Sequence, residues 1–181
     1  MILGIDFSLR ATGLAVLCDD GSTDVATVTA PKDDGTVKSV VERLTSIADQ
    51  VEAWADLGAA DTVVIEGVLH HAPGARRDVI MAGWWWVASR VAALVDDPII
   101  VATPKTRAKF ATGSGAAGKK AVLEQVTARY PMFDIRGDHN IADAVALVAI
   151  GARLAGRPID PDLPDTNLSA LQTLTEGREG R

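Results

Sequence analysis

The apolar residues of this chain come first in short, strand-length runs and only after residue 36 take up helical spacing, an order that restricts the fold more than any other feature. Ile2-Leu3-Gly4-Ile5 is an apolar run that stops at the carboxylate of Asp6, and Gly13-Leu14-Ala15-Val16-Leu17 resumes after a short break. Two such runs predict a β-hairpin. Asp19-Asp20-Gly21-Ser22 is a turn signal, and the alternating residues 25–28 predict a third antiparallel strand. From there Val37, Val40, Val41, Leu44, Ile47, Ala48, Val51 and Trp54 keep a helical period, with Gly58 as a stop. Residues 62–66 read as a buried strand ending at Glu66, followed by a polar loop and a helix over 78–95. A fifth short strand is predicted over 99–102, then helices over 105–110, 119–130 and 140–154. Three meandering strands followed by alternating helices and strands imply an α/β fold, a five-stranded mixed sheet flanked by helices.

With 181 residues, 48% of them apolar, the chain supports one sizeable core but not two ordinary domains. Past Gly156 it turns to Pro158, Pro161 and Pro164 with scattered charge, so residues 1–156 are read as the domain and 157–181 as an extended or disordered tail. The first residues lack the basic start and apolar stretch of a signal peptide, and no later run of about 18 residues is free of charge and glycine. A cytoplasmic protein without membrane association is therefore expected. The lone Cys18 excludes an internal disulfide and a thiolate zinc cluster, and is expected as a small buried hydrophobe in a strand.

Asp6 and Glu66 each close a predicted strand, the end at which α/β sheets gather functional groups. A turn or capping role would also account for either acid alone. The segment Asp138-His139-Asn140-Ile141-Ala142-Asp143-Ala144-Val145 adds a third acid: on a helix, Asp143 faces the same side as His139 and Asn140, with Asp138 as an N-cap. An Asp set among Ala and Val sits where packing wants an apolar side chain. Burying it unpaired costs several kcal/mol, so it needs a metal or a cation.

Ile2-Leu3-Gly4-Ile5-Asp6 with Ala11-Thr12-Gly13, then Val64-Ile65-Glu66, then Ala142-Asp143-Ala144 resemble the motifs of RuvC-type Holliday junction resolvases. Thr103-Pro104 and the stretch Lys109-Phe110-Ala111-Thr112-Gly113-Ser114-Gly115-Ala116-Ala117-Gly118-Lys119 are similar to that family's threonine-proline segment and its Gly-x-Gly-x-x-x-Lys loop, as phage members carry it. The blocks stand in family order over residues 1–155. The resemblance implies an RNase H-like fold, a homodimer engaging a four-way DNA junction, and nicking with Mg²⁺. By position Asp6, Glu66 and Asp143 match three of the family's four metal-binding acids. The fourth position, Asp or His in the family, is Asn140 here, which leaves Asn140, His139 and Asp138 as candidates for the remaining ligand. Two Mg²⁺ ions about 3.5–4 Å apart, with Mn²⁺ able to substitute, would activate water and stabilise the leaving oxygen, and such hard cations select carboxylates.

The net charge of −6 looks unsuited to DNA, but it is unevenly spread: residues 1–68 carry −8, residues 69–120 carry +5 and residues 121–181 carry −3. The basic middle offers His70, His71, Arg76 and Arg77 after Glu66, and Lys105, Arg107, Lys109, Lys119 and Lys120 around Gly113 and Gly115, whose backbone can approach a phosphate. Arg76, Arg77, Lys105, Arg107, Lys109, Gly113, Gly115, Lys119 and Lys120 are the expected DNA contacts, while a solvent-exposed loop without function accounts equally well for the two histidines. Ordinary surface charge is the plainer reading of the same residues. By resemblance Lys119 is the candidate nearest the scissile phosphate and joins the catalytic set. Trp84-Trp85-Trp86 cannot all face one side of a helix, so at least one is expected inward and another on a partner subunit. Two other function classes fit part of this pattern: a resolvase-like protein that binds structured DNA without cutting it, and an actin-like or sugar-kinase-like ATPase, which would need a second glycine-rich phosphate loop that is not found. An RNase H-type enzyme acting on RNA–DNA hybrids is a third variant.

Overall fold

The structure, a computed structural model, describes residues 1–54, 60–68, 76–96, 99–160 and 162–174. The helix stop expected at Gly58 and the loop histidines His70 and His71 lie outside the described residues. Strand β1 (Ile2–Asp6) forms the centre of a five-stranded sheet, pairing antiparallel with β2 (Thr12–Leu17) and parallel with β4 (Thr62–Glu66). Outside these lie β3 (Thr23–Val28), antiparallel to β2, and β5 (Ile100–Ala102), parallel to β4, giving the order β3-β2-β1-β4-β5. The mixed sheet is the one the run order predicts.

Helix α1 (Val37–Trp54) and helix α2 (Arg77–Ala92) make the two crossovers and pack on one face of the sheet. On the other face lie α3 (Pro104–Thr112), α4 (Lys119–Arg129) and α5 (His139–Leu154). The period-two alternation of a strand sorts side chains between these layers. Leu3, Ile5, Val63 and Ile65 join the core under α1 and α2. Ile2 and Val64 join the core under α5. By the same alternation Asp6 and Glu66 point toward α5, from the ends of adjacent parallel strands.

Helix α5 is buried along nearly its whole length, from Ile141 to Ala152. It reaches that depth because the sheet beneath it is nearly bare: a Cβ on Gly4 would collide with the Ala144 carbonyl, and one on Gly13 with the Asn140 carbonyl. Close backbone approach thus seats the first turn of α5 directly over the strand pair that carries Asp6.

The extended or disordered reading of the C-terminal residues does not hold for 162–174. A short helix, α6 (Asp165–Leu168), packs against α3, and Leu163 and Ala170 enter the core. Just before it, Asp160 accepts hydrogen bonds from the buried Tyr130 hydroxyl and from Arg153 (Nη2, 2.7 Å), and Asn167 donates its amide to the Phe110 carbonyl at 2.7 Å. These buried polar anchors do not show in a periodicity scan. Cys18 also departs from expectation, lying half-buried one residue beyond β2, where its N–H donates to Ser22 O at 2.9 Å. No helix among the described residues is long and apolar enough to cross a membrane.

Candidate functional site

Asp6, Glu66 and Asp143 meet at one end of the sheet, beneath the first turns of α5. Asp6 and Asp143 are 8% and 3% exposed, and Glu66 is partly buried. Between the last two stands Arg107 of α3, itself 6% exposed. Its Nε donates to Glu66 Oε2 at 2.5 Å, and its Nη1 donates to Asp143 Oδ1. The expectation that Arg107 is a DNA contact on the surface is therefore corrected. Arg107 shares a helix face with Phe110 and Ala111, three and four residues on, and that face packs inward. This is the cation that the buried acids require.

The electrostatics reflect one crowded centre. Burial, then repulsion from Glu66 and Asp143, holds Asp6 well above the ordinary carboxylate range, with Arg107 and Lys119 opposing the shift. Burial outweighs the attraction of Arg107 and pushes Asp143 up to about 6. Three acids against one buried guanidinium leave an excess of negative charge that only partial protonation or further cations can relieve. Lys119, exposed at the start of α4, contributes from the rim: its charge acts on both Asp6 and Asp143.

Glu66 is held from behind by a residue that the sequence reading treated only as packing. Trp84, the inward member of the tryptophan triplet, donates its indole N–H to the Glu66 carbonyl at 2.7 Å. Its ring is met edge-on by Trp85 at 4.9 Å between centroids. Trp85 and Trp86 themselves face outward, 61% and 45% exposed.

Asp138 does not present a free carboxylate to the acids. One oxygen caps α5, accepting from the Asn140 N–H at 2.8 Å, and the other accepts from the Thr27 hydroxyl at 2.7 Å. The first turn of α5 offers two other donors, the Asn140 amide oxygen and the His139 imidazole, whose buried Nδ1 has no partner among the described residues. His139 also acts electrostatically on Asp143, one turn along. Among the described residues no three His, Cys, Asp or Glu side chains form a ready-made metal cage; Arg107 bridges two of the acids instead. The donor set itself, hard carboxylate oxygens with excess negative charge, fits a hard divalent cation.

The other basic residues singled out in the sequence differ in exposure. Lys105, Lys119, Lys120 and Arg77 are exposed, and Lys109 and Arg76 are partly so. Gly113 ends α3 in a left-handed conformation (φ 83°), and Gly115 lies against the Lys105 carbonyl, so the glycine loop folds back on the start of α3. Arg76 is ion-paired to Asp33 at 2.6 Å.

Residues 2–151 match the family described as "Crossover junction endodeoxyribonuclease RuvC". Relatives under that name include the protein of Frankia alni, 32% identical over 81% of this chain and 74% of the relative, and that of Rhodopirellula baltica, 28% identical over 90% and 91%. Among solved structures, Thermus thermophilus RuvC superposes with a TM-score of 0.59 at 17% identity, covering 86% of this chain and 96% of the other. The yeast mitochondrial Holliday junction resolvase Ydc2 does so with 0.52 at 12% identity, covering 96% and 84%. Those likenesses establish the RNase H-like fold. The chain belongs to the RuvC family of crossover junction endodeoxyribonucleases.

Proposed function

We infer that this chain is an endonuclease that hydrolyses phosphodiesters in four-way DNA junctions and other branched DNA, with Asp6, Glu66 and Asp143 as its metal-binding acids. The observation that carries the reading is the convergence of these three carboxylates, from β1, β4 and α5, at one mostly buried end of the sheet. A relative's structure described as in complex with Holliday junction substrate, matching at a TM-score of 0.54, supports the choice of DNA.

Bound Mg²⁺, with Mn²⁺ able to replace it, would supply the Lewis acidity that polarises the phosphodiester and lowers the pKa of a bound water. Asp6, Glu66 and Asp143 would hold it, with a fourth donor from Asn140 or His139. Arg107 keeps Glu66 and Asp143 in position and offsets their charge. Trp84 fixes the Glu66 backbone, so the carboxylate is aimed by a packed ring rather than by a loop. Lys119, whose charge acts on both Asp6 and Asp143, would contact the scissile phosphate and favour the charge that develops there. The exposed Lys105, Lys120 and Arg77 and the partly exposed Lys109 would position the DNA backbone without reading sequence. The outward faces of Trp85 and Trp86 support a homodimer, in which two such sites would meet the paired strands of a junction.

The test uses a labelled synthetic four-way junction. Wild type should nick it in Mg²⁺, and Asp6→Asn, Glu66→Gln and Asp143→Asn should each lower the rate by at least about a hundredfold while still binding the junction. Cleavage by all three variants at the wild-type rate would remove the site assignment. Junction binding by wild type with no nicks in Mg²⁺ or Mn²⁺ would establish the non-catalytic reading in its place.

A further inference from the structure

A second feature lies immediately past Asp6. The segment from Phe7 to Arg10 forms one wall of an open cavity of about 700 Å³, lined elsewhere by Ala30 and Lys32, by Arg43 of α1 and by Arg76 at the start of α2. Four cations thus line one hollow. Asp33 answers two of them, accepting from Arg43 Nη1 at 2.9 Å and pairing with Arg76 Nη2 at 2.6 Å. With both its oxygens engaged, Asp33 is held well below the ordinary carboxylate range, Arg76 being the largest cause.

The positive excess is built in. Arg43 is 8% exposed; its Nη2 donates to the Leu9 carbonyl, but its buried Nε has no partner among the described residues. Arg10 and Lys32 are exposed, and neither is ion-paired among the described residues. Arg76 adopts a left-handed backbone (φ 75°) as the N-cap of α2 and provides no side-chain cap, so the first N–H groups of that 16-residue helix carry further positive potential toward the same side. The rest of the lining is Ser8 and the apolar Phe7, Leu9, Ala30 and Ile80. A cationic wall beside an aromatic ring suits a single nucleotide, whose phosphate and base demand those two surfaces. A continuous duplex backbone, by contrast, would touch only the rim.

We propose that this cavity binds one unstacked nucleotide of the DNA strand flanking the scissile bond, its phosphate held by Arg10, Lys32 and Arg43 and its base or sugar against Phe7. The proposal rests on the junction-nuclease reading for the identity of the strand, but not for the existence of the pocket. A phosphate seated there would fix the strand a few residues from Asp6 and so set which phosphodiester reaches the acids.

Two probes separate the claims. Thymidine 3′,5′-bisphosphate, added in EDTA so that no metal is present, should perturb the amide resonances of residues 7–10 and 43 in wild type and not in Arg10→Ala/Lys32→Ala, whose exposed positions leave the fold intact. Junction binding by that double variant should weaken about tenfold, and its log–log salt dependence should become shallower by roughly 1.5. The pocket assignment is overturned if wild type shows no bisphosphate binding at millimolar concentration, or if the double variant matches wild type in bisphosphate and junction binding. Failure of wild type to bind or cut the junction would overturn the nuclease reading alone, since the bisphosphate result stands on its own.

Discussion

At the scale of single residues, Arg107 holds two acids together, and its replacement should make stability depend more strongly on divalent ions. Removing one partner of a buried ion pair leaves the others uncompensated, a loss of about 3–5 kcal/mol. Arg107→Met should therefore lower the melting temperature sharply in EDTA, and Mg²⁺ should raise it by more than in wild type, because the freed carboxylates must find another cation. An equal Mg²⁺-induced gain in both proteins would show that Arg107 and the metal do not share those oxygens. The raised pKa values make a second prediction. A carboxyl that holds its proton more tightly when folded costs stability as it ionises, so metal-free stability should fall as pH rises from 3.8 to about 6, the window set by Asp143. Urea denaturation of wild type against Asp143→Asn measures this: the variant should show a weaker decline over that interval, and an identical slope would refute it. Asp6, Glu66 and Asp143 were legible in the sequence because two close strands and one interrupts an apolar helix. Arg107 was misread because Lys105 and Lys109 stand beside it, and charge counts treat all three alike. Its spacing to Phe110 and Ala111 was the available signal.

At the scale of elements, the site depends on how deeply α5 sinks into the sheet. Gly13 pairs with Asp6 across the hairpin and touches the backbone of Asn140, so it sets the height of the helix turn that presents His139, Asn140 and Asp143. Gly13→Ala should cost about 1–3 kcal/mol through overpacking. It should also depress cleavage by about a hundredfold, because displacements near 1 Å are enough to spoil a catalytic arrangement. Chemical denaturation and junction nicking measure the two effects, and a stable, fully active Gly13→Ala would show that α5 has room to adjust. All the elements but α6 followed from the sequence within a few residues, since hydrophobic period is a local property. Which glycines take a helix backbone against them is a property of the pairing, and periodicity does not carry it.

At the scale of the whole molecule, an acidic chain presents a basic middle: α2 to α4 carry Arg77, Lys105, Lys109, Lys119 and Lys120. Trp85 and Trp86 add an exposed apolar stretch on α2. Trp85→Glu/Trp86→Glu should convert a dimer to monomer in sedimentation velocity, and a wild-type monomer at micromolar concentration would end the dimer proposal. The proline-rich end was the least legible part, because Asp160 and Asn167 hold it through buried hydrogen bonds that no hydrophobic pattern announces. That anchorage reaches further than the surface it covers. Asn167 grips the carbonyl of Phe110, one helical turn beyond Arg107, so shortening the protein from its far end would slacken the clasp on Glu66 and Asp143 without touching either acid.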